Sequence, residues 1–110
     1  MGNELIEDQG RLILKLEGEV DLERSPAVRK LLLDAVARRR DVLVDLAQVT
    51  YIDSSGIACL VEALQAARKN GFALGLVSVS QRVMRVLSLA RLDKVFPIHP
   101  DLTTALAAGS

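Results

Sequence analysis

A short polar stretch, Asp53-Ser54-Ser55-Gly56, combines residue types that can carry chemistry. A carboxylate beside two hydroxyls is suited to capping a helix or to nucleophilic catalysis. Asp and Ser are favoured N-caps because their side-chain oxygens accept hydrogen bonds from the free N–H groups of a first helical turn. Capping needs only one of the three, and a glycine inside that turn costs about 0.5–1 kcal/mol relative to alanine. We therefore expect this helix start to suit the close approach of another molecule.

Nucleophilic catalysis by these serines would need partners that the sequence does not supply. The first glycine of a nucleophile elbow is missing, and the only histidine, His99, falls between Ile98 and Pro100 in a predicted edge strand. We expect His99 to be a surface or partly packed residue. The sequence contains neither a G-x-G-x-x-G fingerprint nor a Walker loop, so nucleotide binding has no support. These observations predict a binding module without catalytic residues or a cofactor.

The remaining candidates for metal binding have simpler interpretations. Glu17, Glu19 and Asp21 share strand parity, but Lys15 shares it too, which favours a solvated charged face over a metal site. Cys59 is the only cysteine, which excludes an internal disulfide and every multi-cysteine metal site. We interpret Cys59 as a small core residue and predict no metal site.

Composition narrows the size, the partners and the compartment. The 110 residues, half of them hydrophobic and mostly aliphatic, suffice for one domain over residues 1–110. Fourteen basic residues cancel 14 acidic ones, so no long-range field draws the chain to nucleic acid or anionic lipid. The acidic N-terminus lacks the regions of a signal peptide, and no apolar run approaches the roughly 18 residues of a membrane span. We expect a cytoplasmic protein that neither binds nucleic acid nor inserts into a membrane.

The hydrophobic pattern predicts strands that alternate with helices. The predicted elements are a hairpin that turns at Asp8-Gln9-Gly10, a helix capped by Ser25 with Pro26 at N1, a strand over Val42–Leu46, a helix from about Ser55 to Asn70-Gly71, a strand over Phe72–Val79, a helix capped by Ser80, an edge strand over Val95–Ile98 and a short helix capped by Asp101. Arg38–Arg40 are expected to close the first helix, where cations complement the helix dipole. The predicted class is α/β: a mixed, mostly parallel sheet of four to five strands, with an N-terminal β-hairpin and about four helices.

Small residues on the predicted second helix extend the candidate site. Cys59, Ala63 and Ala66 form a strip beside the helix's apolar stripe, which indicates either tight helix packing or a flat docking surface. We predict a docking surface that is continuous with the helix start, with Asp21 nearby in the neighbouring strand-to-helix loop. The candidate partner-binding residues are Asp21, Asp53, Ser54, Ser55, Gly56, Cys59, Ala63 and Ala66.

Three motifs in order resemble a known family. Gly18-Glu19-Val20-Asp21, then Val44-Asp45-Leu46, then the stretch VTYIDSSG over 49–56 resemble the STAS domain (sulfate transporter and anti-sigma factor antagonist). The resemblance covers nearly the whole chain and is strongest to the stand-alone anti-sigma factor antagonists. It implies that Ser55 is a phosphoacceptor, that the partner is an anti-sigma factor which is itself the serine kinase, and that a serine phosphatase reverses the modification. Unmodified antagonist would then bind the anti-sigma factor and release a sigma factor.

Two other functions remain open at this point. Within the family, the alternative is a STAS accessory subunit of a bacterial phospholipid-transport ABC complex, which binds its ATPase. Such subunits often lack the second serine of the motif, so Ser55 favours the regulatory function. A small enzyme that uses the same carboxylate and hydroxyls is the third hypothesis, and it lacks a base, a cofactor loop and an obvious pocket.

Overall fold

A five-stranded sheet whose strands lie in chain order is the centre of the computed structural model, which describes residues 3–108. The elements are β1 (Glu4–Asp8), β2 (Arg11–Val20), α1 (Ser25–Val36), β3 (Val42–Ile52), α2 (Ser54–Lys69), β4 (Leu74–Val77), α3 (Gln81–Leu89), β5 (Ile98–His99) and α4 (Leu102–Ala108). β1 pairs antiparallel with β2, and all other neighbours pair in parallel. The predicted α/β class, with its mixed sheet, hairpin and four helices, is confirmed.

Burial on both faces of the sheet explains the apolar character of its strands. In β2, Leu12 and Leu14 belong to the larger core cluster, which also contains residues of α1, α2 and α3. Ile13, between them, points to the opposite face and joins a smaller cluster that includes Ala105 of α4. Successive strand residues alternate between faces, so a stretch that is covered on both sides, such as residues 12–14, is apolar at consecutive positions.

Three strand boundaries differ from the prediction. β3 does not stop at Leu46 but continues to Ile52, because the end of β2 pairs with it beyond two register shifts. The extension contains exposed polar residues such as Gln48, so a search for a continuous run of apolar residues does not detect it. β4 is shorter than Phe72–Val79, since Ser78 adopts a positive φ of 55° directly after the strand. β5 covers Ile98–His99 rather than Val95–Ile98.

Ser25 is not the N-cap that the sequence predicts for α1. The helix already begins at Ser25, and the cap position is Arg24, whose side chain makes no capping bond. Asp21 does this work from the preceding loop: its Oδ1 accepts from the Arg24 N–H at 3.1 Å and its carbonyl accepts from the Ser25 N–H at 2.8 Å. The Ser25 hydroxyl donates instead to the carbonyl of Leu22.

The predicted role of Arg38–Arg40 at the helix dipole is also wrong. α1 ends at Val36 with Ala37 as its C-cap, so its last turn holds no basic residue. Arg39 adopts a positive φ and lies 5.6 Å from the ring centre of Phe72, while Arg40 forms an ion pair with Glu7. Arg39 and Arg40 therefore attach the turn after α1 to neighbouring segments.

The other predicted helix ends are confirmed. Ser80 caps α3 by accepting from the Val83 N–H, and Asp101 accepts from the Thr104 N–H at 2.7 Å. Asn70 is the C-cap of α2, followed by Gly71 at a φ of 83°. Polar caps and a terminal glycine are local signals, which is why the sequence alone reveals them.

Candidate functional site

Asp53 organises the start of α2, at the carboxyl end of the central strand β3. Its backbone is extended, and its Oδ1 accepts hydrogen bonds from the N–H groups of Ser55 (3.0 Å) and Gly56 (3.2 Å). The same oxygen accepts from the Ser55 hydroxyl at 2.5 Å. Ser54 begins the helix and is exposed, whereas Ser55 is half-buried. The predicted N-cap chemistry of this stretch is thus carried by Asp53, and both hydroxyls lie at the helix start.

The second oxygen of Asp53 reaches a neighbouring loop. Its Oδ2 accepts from the backbone N–H of Leu22 at 3.2 Å, in the loop 21–24 that joins β2 to α1. These bonds, above all that from the Ser55 hydroxyl, lower the pKa of Asp53, and partial desolvation opposes them. Asp53 is therefore a carboxylate at neutral pH, and it joins the α2 start to the loop that carries Asp21.

Gly56 faces the protein itself rather than another molecule, contrary to the prediction. It is buried, and a Cβ added to it would lie 2.6 Å from the carbonyl oxygen of Val20 and 2.7 Å from Cγ1 of Ile52. The close approach that requires glycine is that of α2 to the ends of β2 and β3. Gly56 is therefore a packing residue that fixes the depth of the helix start.

Two of the three residues in the strip of small residues, Cys59 and Ala63, are buried and therefore not exposed as the predicted docking surface requires. Cys59 is 6% exposed and Ala63 is fully buried, while Ala66 is half-buried and packs against the core. The Cys59 thiol lies 3.4 Å from the carbonyl oxygen of Ser25 and donates to it. Small side chains here let α1 and α2 approach closely, which is the tight-packing alternative.

An ion pair links the two helices at the surface beside this strip. Nε and Nη2 of Arg29 donate to the two carboxylate oxygens of Glu62 at 2.7 and 2.6 Å. This bidentate bond is the main cause of the lowered pKa of Glu62. It pins α1 against α2 two turns below Ser55.

The thiol of Cys59 is expected to be poorly reactive in the folded protein. Burial is the main cause of its raised pKa, and the nearby Glu62 adds to the shift. We expect alkylation by iodoacetamide at pH 8 to be slower than that of the denaturant-unfolded chain by about tenfold or more. Mass spectrometry of timed samples measures both rates. Equal rates in the folded and unfolded protein would contradict the buried position.

Sequence reasoning missed two residues in the β2–α1 loop. Leu22 is 74% exposed although it is large and apolar. Nη1 of Arg24 donates to the carbonyl oxygens of Glu17 (3.0 Å) and Glu19 (2.8 Å), where Gly18 adopts a positive φ of 81°. No pattern in the sequence distinguishes this leucine from a core residue, and the arginine contact depends on the backbone turn at Gly18.

The described residues offer few other sites. Within residues 3–108, no group of three or more His, Cys, Asp or Glu is placed to hold a metal ion, and no helix there is long and apolar enough to cross a membrane. A mostly apolar cavity of about 120 Å³ lies at the opposite end of the sheet, where Arg11 and the half-buried His99 line it. The cavity and the α2 start therefore lie at opposite ends of the strands.

The fold and site define a class of protein: a small α/β domain with a polar, partly exposed helix start at the carboxyl end of its central strand. The chain belongs to the STAS domain family, whose model matches residues 4–105. This confirms the family resemblance stated from the three motifs.

Individual relatives agree with this assignment. The anti-sigma F factor antagonist of Paenibacillus polymyxa is 29% identical over 105 residues, which cover 94% of this chain and 90% of that protein. The crystal structure of an anti-sigma factor antagonist from Mycobacterium paratuberculosis matches with a TM-score of 0.89 and 27% identity, covering 97% of this chain and 92% of that one. The Bacillus cell fate determinant SpoIIAA in its phosphorylated form shares the fold, with a TM-score of 0.75 at 14% identity over 99% of this chain and 100% of that one.

Proposed function

We propose that this protein is an anti-sigma factor antagonist that acts by phosphorylation-controlled partner switching. The unmodified chain binds an anti-sigma factor that is also a serine kinase, and a sigma factor is thereby released. Phosphorylation of Ser55 ends the complex, and a serine phosphatase restores it. The chain itself contributes binding and no catalytic step, and the cycle takes place in the cytoplasm. The observation that carries this proposal is the Ser55 hydroxyl at a partly exposed helix start, hydrogen-bonded to a carboxylate.

Two lines of support point to this function. The relatives from Paenibacillus polymyxa and Mycobacterium paratuberculosis are named as anti-sigma factor antagonists and align over most of their length. Ser55 occupies the second serine position of the family motif, which the resemblance assigns as the phosphoacceptor. The partner surface retained from the predicted set comprises Asp21, Asp53, Ser54 and Ser55, which are exposed or half-buried.

The chemistry of the switch follows from what a phosphate does at this position. The kinase transfers the γ-phosphoryl group of ATP to Oγ of Ser55: the new P–O bond forms, the bond to ADP breaks and the hydroxyl proton leaves to solvent or a kinase base. Phosphoserine adds about −1.5 to −2 charges beside Asp53. The N–H groups at the α2 start favour an anion, so the phosphate competes with Asp53 for them. When the partner covers this surface, the phosphate must lose its hydration next to the like charge of Asp53, and this cost weakens the complex.

The assignment of Ser55 is tested by a kinase assay. Each anti-sigma factor kinase encoded in the genome that carries this gene is incubated with the purified chain and ATP, and the phosphate is located by fragment mass spectrometry. We expect one phosphate on Ser55, full modification of Ser54→Ala and none of Ser55→Ala. Phosphate on Ser54, or persistent phosphorylation of Ser55→Ala, would refute the assignment. Circular dichroism of both variants controls for folding.

A further inference from the structure

Leu22 is exposed, and its backbone is held by hydrogen bonds. Its N–H donates to Asp53 and its carbonyl accepts from the Ser25 hydroxyl, so both of its backbone groups are bonded. Asp21 accepts from the N–H groups of Arg24 and Ser25 on the other side of the loop. An apolar side chain on such a loop loses little backbone entropy when a partner covers it, which is the property of a binding anchor.

The charges around Leu22 favour one kind of partner. Glu19 and Glu23 are exposed, and Asp21 and Asp53 are half-buried. Arg24, the basic residue of this loop, directs Nη1 to backbone carbonyls. An apolar side chain within an acidic rim is complementary to an apolar pocket bordered by Lys or Arg.

We propose that Leu22 is the apolar anchor for the anti-sigma factor and that Asp53 couples this anchor to the modification of Ser55. This inference rests on the proposed function and adds roles for Leu22 and Asp53 to that of Ser55. In the unmodified chain, Oδ1 of Asp53 holds the α2 start while Oδ2 holds the Leu22 N–H. Asp53 thus fixes the position of the Leu22 loop relative to the α2 start.

Phosphorylation would break this arrangement at Asp53. The Ser55 hydroxyl that donates to Oδ1 becomes the ester oxygen of a phosphate, which carries no proton, and the negative phosphate repels the carboxylate. The phosphate also takes the N–H groups of Ser55 and Gly56 from Asp53. Once the carboxylate moves, the Leu22 N–H loses its acceptor. The loop 21–24 then loses its connection to α2. The partner therefore loses its anchor.

The coupling is tested without any partner, by amide hydrogen exchange of the full chain in NMR. Phosphoserine is incorporated at position 55 during translation, and the matched control carries it at the exposed position 54. We expect the Leu22 amide to exchange about tenfold faster or more with phosphate at 55 and to be unchanged with phosphate at 54. Equal exchange in the unmodified and Ser55-phosphorylated chains would overturn the coupling, whether or not the chain antagonises an anti-sigma factor.

Asp53→Asn isolates the bond to the loop. Asn caps helices about as well as Asp, so its carbonyl oxygen can retain the bonds of Oδ1. Its amide group replaces Oδ2 and cannot accept from the Leu22 N–H. We expect faster exchange at Leu22 with the amides of α2 still protected. Unchanged exchange at Leu22 would contradict the role of Asp53.

The anchor itself is tested by affinity for the kinase that modifies Ser55. Leu22→Ser removes the side chain, and Leu89→Ser is the matched control because Leu89 is 81% exposed at the far end of α3. We expect Leu22→Ser to weaken binding about 30-fold and Leu89→Ser to leave it unchanged. If the two variants bind the kinase with equal affinity, and the kinase still phosphorylates Ser55 in both, the role of Leu22 as anchor is overturned. The proposed function would then still stand.

Discussion

Replacing Gly56 by alanine is expected to lower the free energy of unfolding by about 3 kcal/mol. The added Cβ would lie 2.6 Å from the Val20 carbonyl oxygen and within 2.8 Å of side-chain carbons of Ile52 and Val20. The carbonyl belongs to the backbone of β2 and has no rotamer by which to move aside. The helix start must therefore shift outward, and Ser55 shifts with it.

Ser54→Ala is the matched control for this substitution, because Ser54 is exposed in the same helical turn. We expect its effect to stay within about 0.5 kcal/mol. Urea denaturation followed by circular dichroism measures both variants. If Gly56→Ala is as stable as Ser54→Ala, the tight contact between α2 and β2 is not a feature of the protein.

The elements of this fold were predictable because their signals are local. Leu12, Leu14 and Leu16 alternate in β2, and Ser80 and Asp101 stand where helices begin. Strand boundaries that depend on tertiary contacts were not predictable. β3 extends to Ile52 because the end of β2 pairs with it, and only the folded chain brings those residues together.

The candidate site divides in the same way. Asp53 and Ser55 could be identified from residue type and position. Gly56 and Ala63 were misinterpreted because a small residue has the same appearance in a sequence whether its own chain or a partner covers it. Leu22 was missed because its exposure depends on the loop geometry that Asp21 and Arg24 create.

A phosphate on Ser55 is expected to weaken binding to the anti-sigma factor at least 100-fold, which corresponds to about 2.7 kcal/mol. The physical reason is that the phosphate, with a charge of about −1.5 to −2, must be desolvated beside Asp53 when the partner binds, and that it displaces Asp53 from the Leu22 N–H. Ser55→Ala lacks the phosphoacceptor and adds no charge, so we expect it to bind within about threefold of the unmodified chain.

The most direct test of this account is calorimetric titration of the kinase that modifies Ser55, with ADP bound, by three forms of the full chain: unmodified, phosphorylated at Ser55, and Ser55→Ala. Thermal unfolding of each form controls for folding. We expect the unmodified chain and Ser55→Ala to bind with similar affinity, and the phosphorylated chain to bind at least about 100-fold more weakly. Equal affinity of the phosphorylated and unmodified chains would contradict the proposal that Ser55 controls the choice of partner.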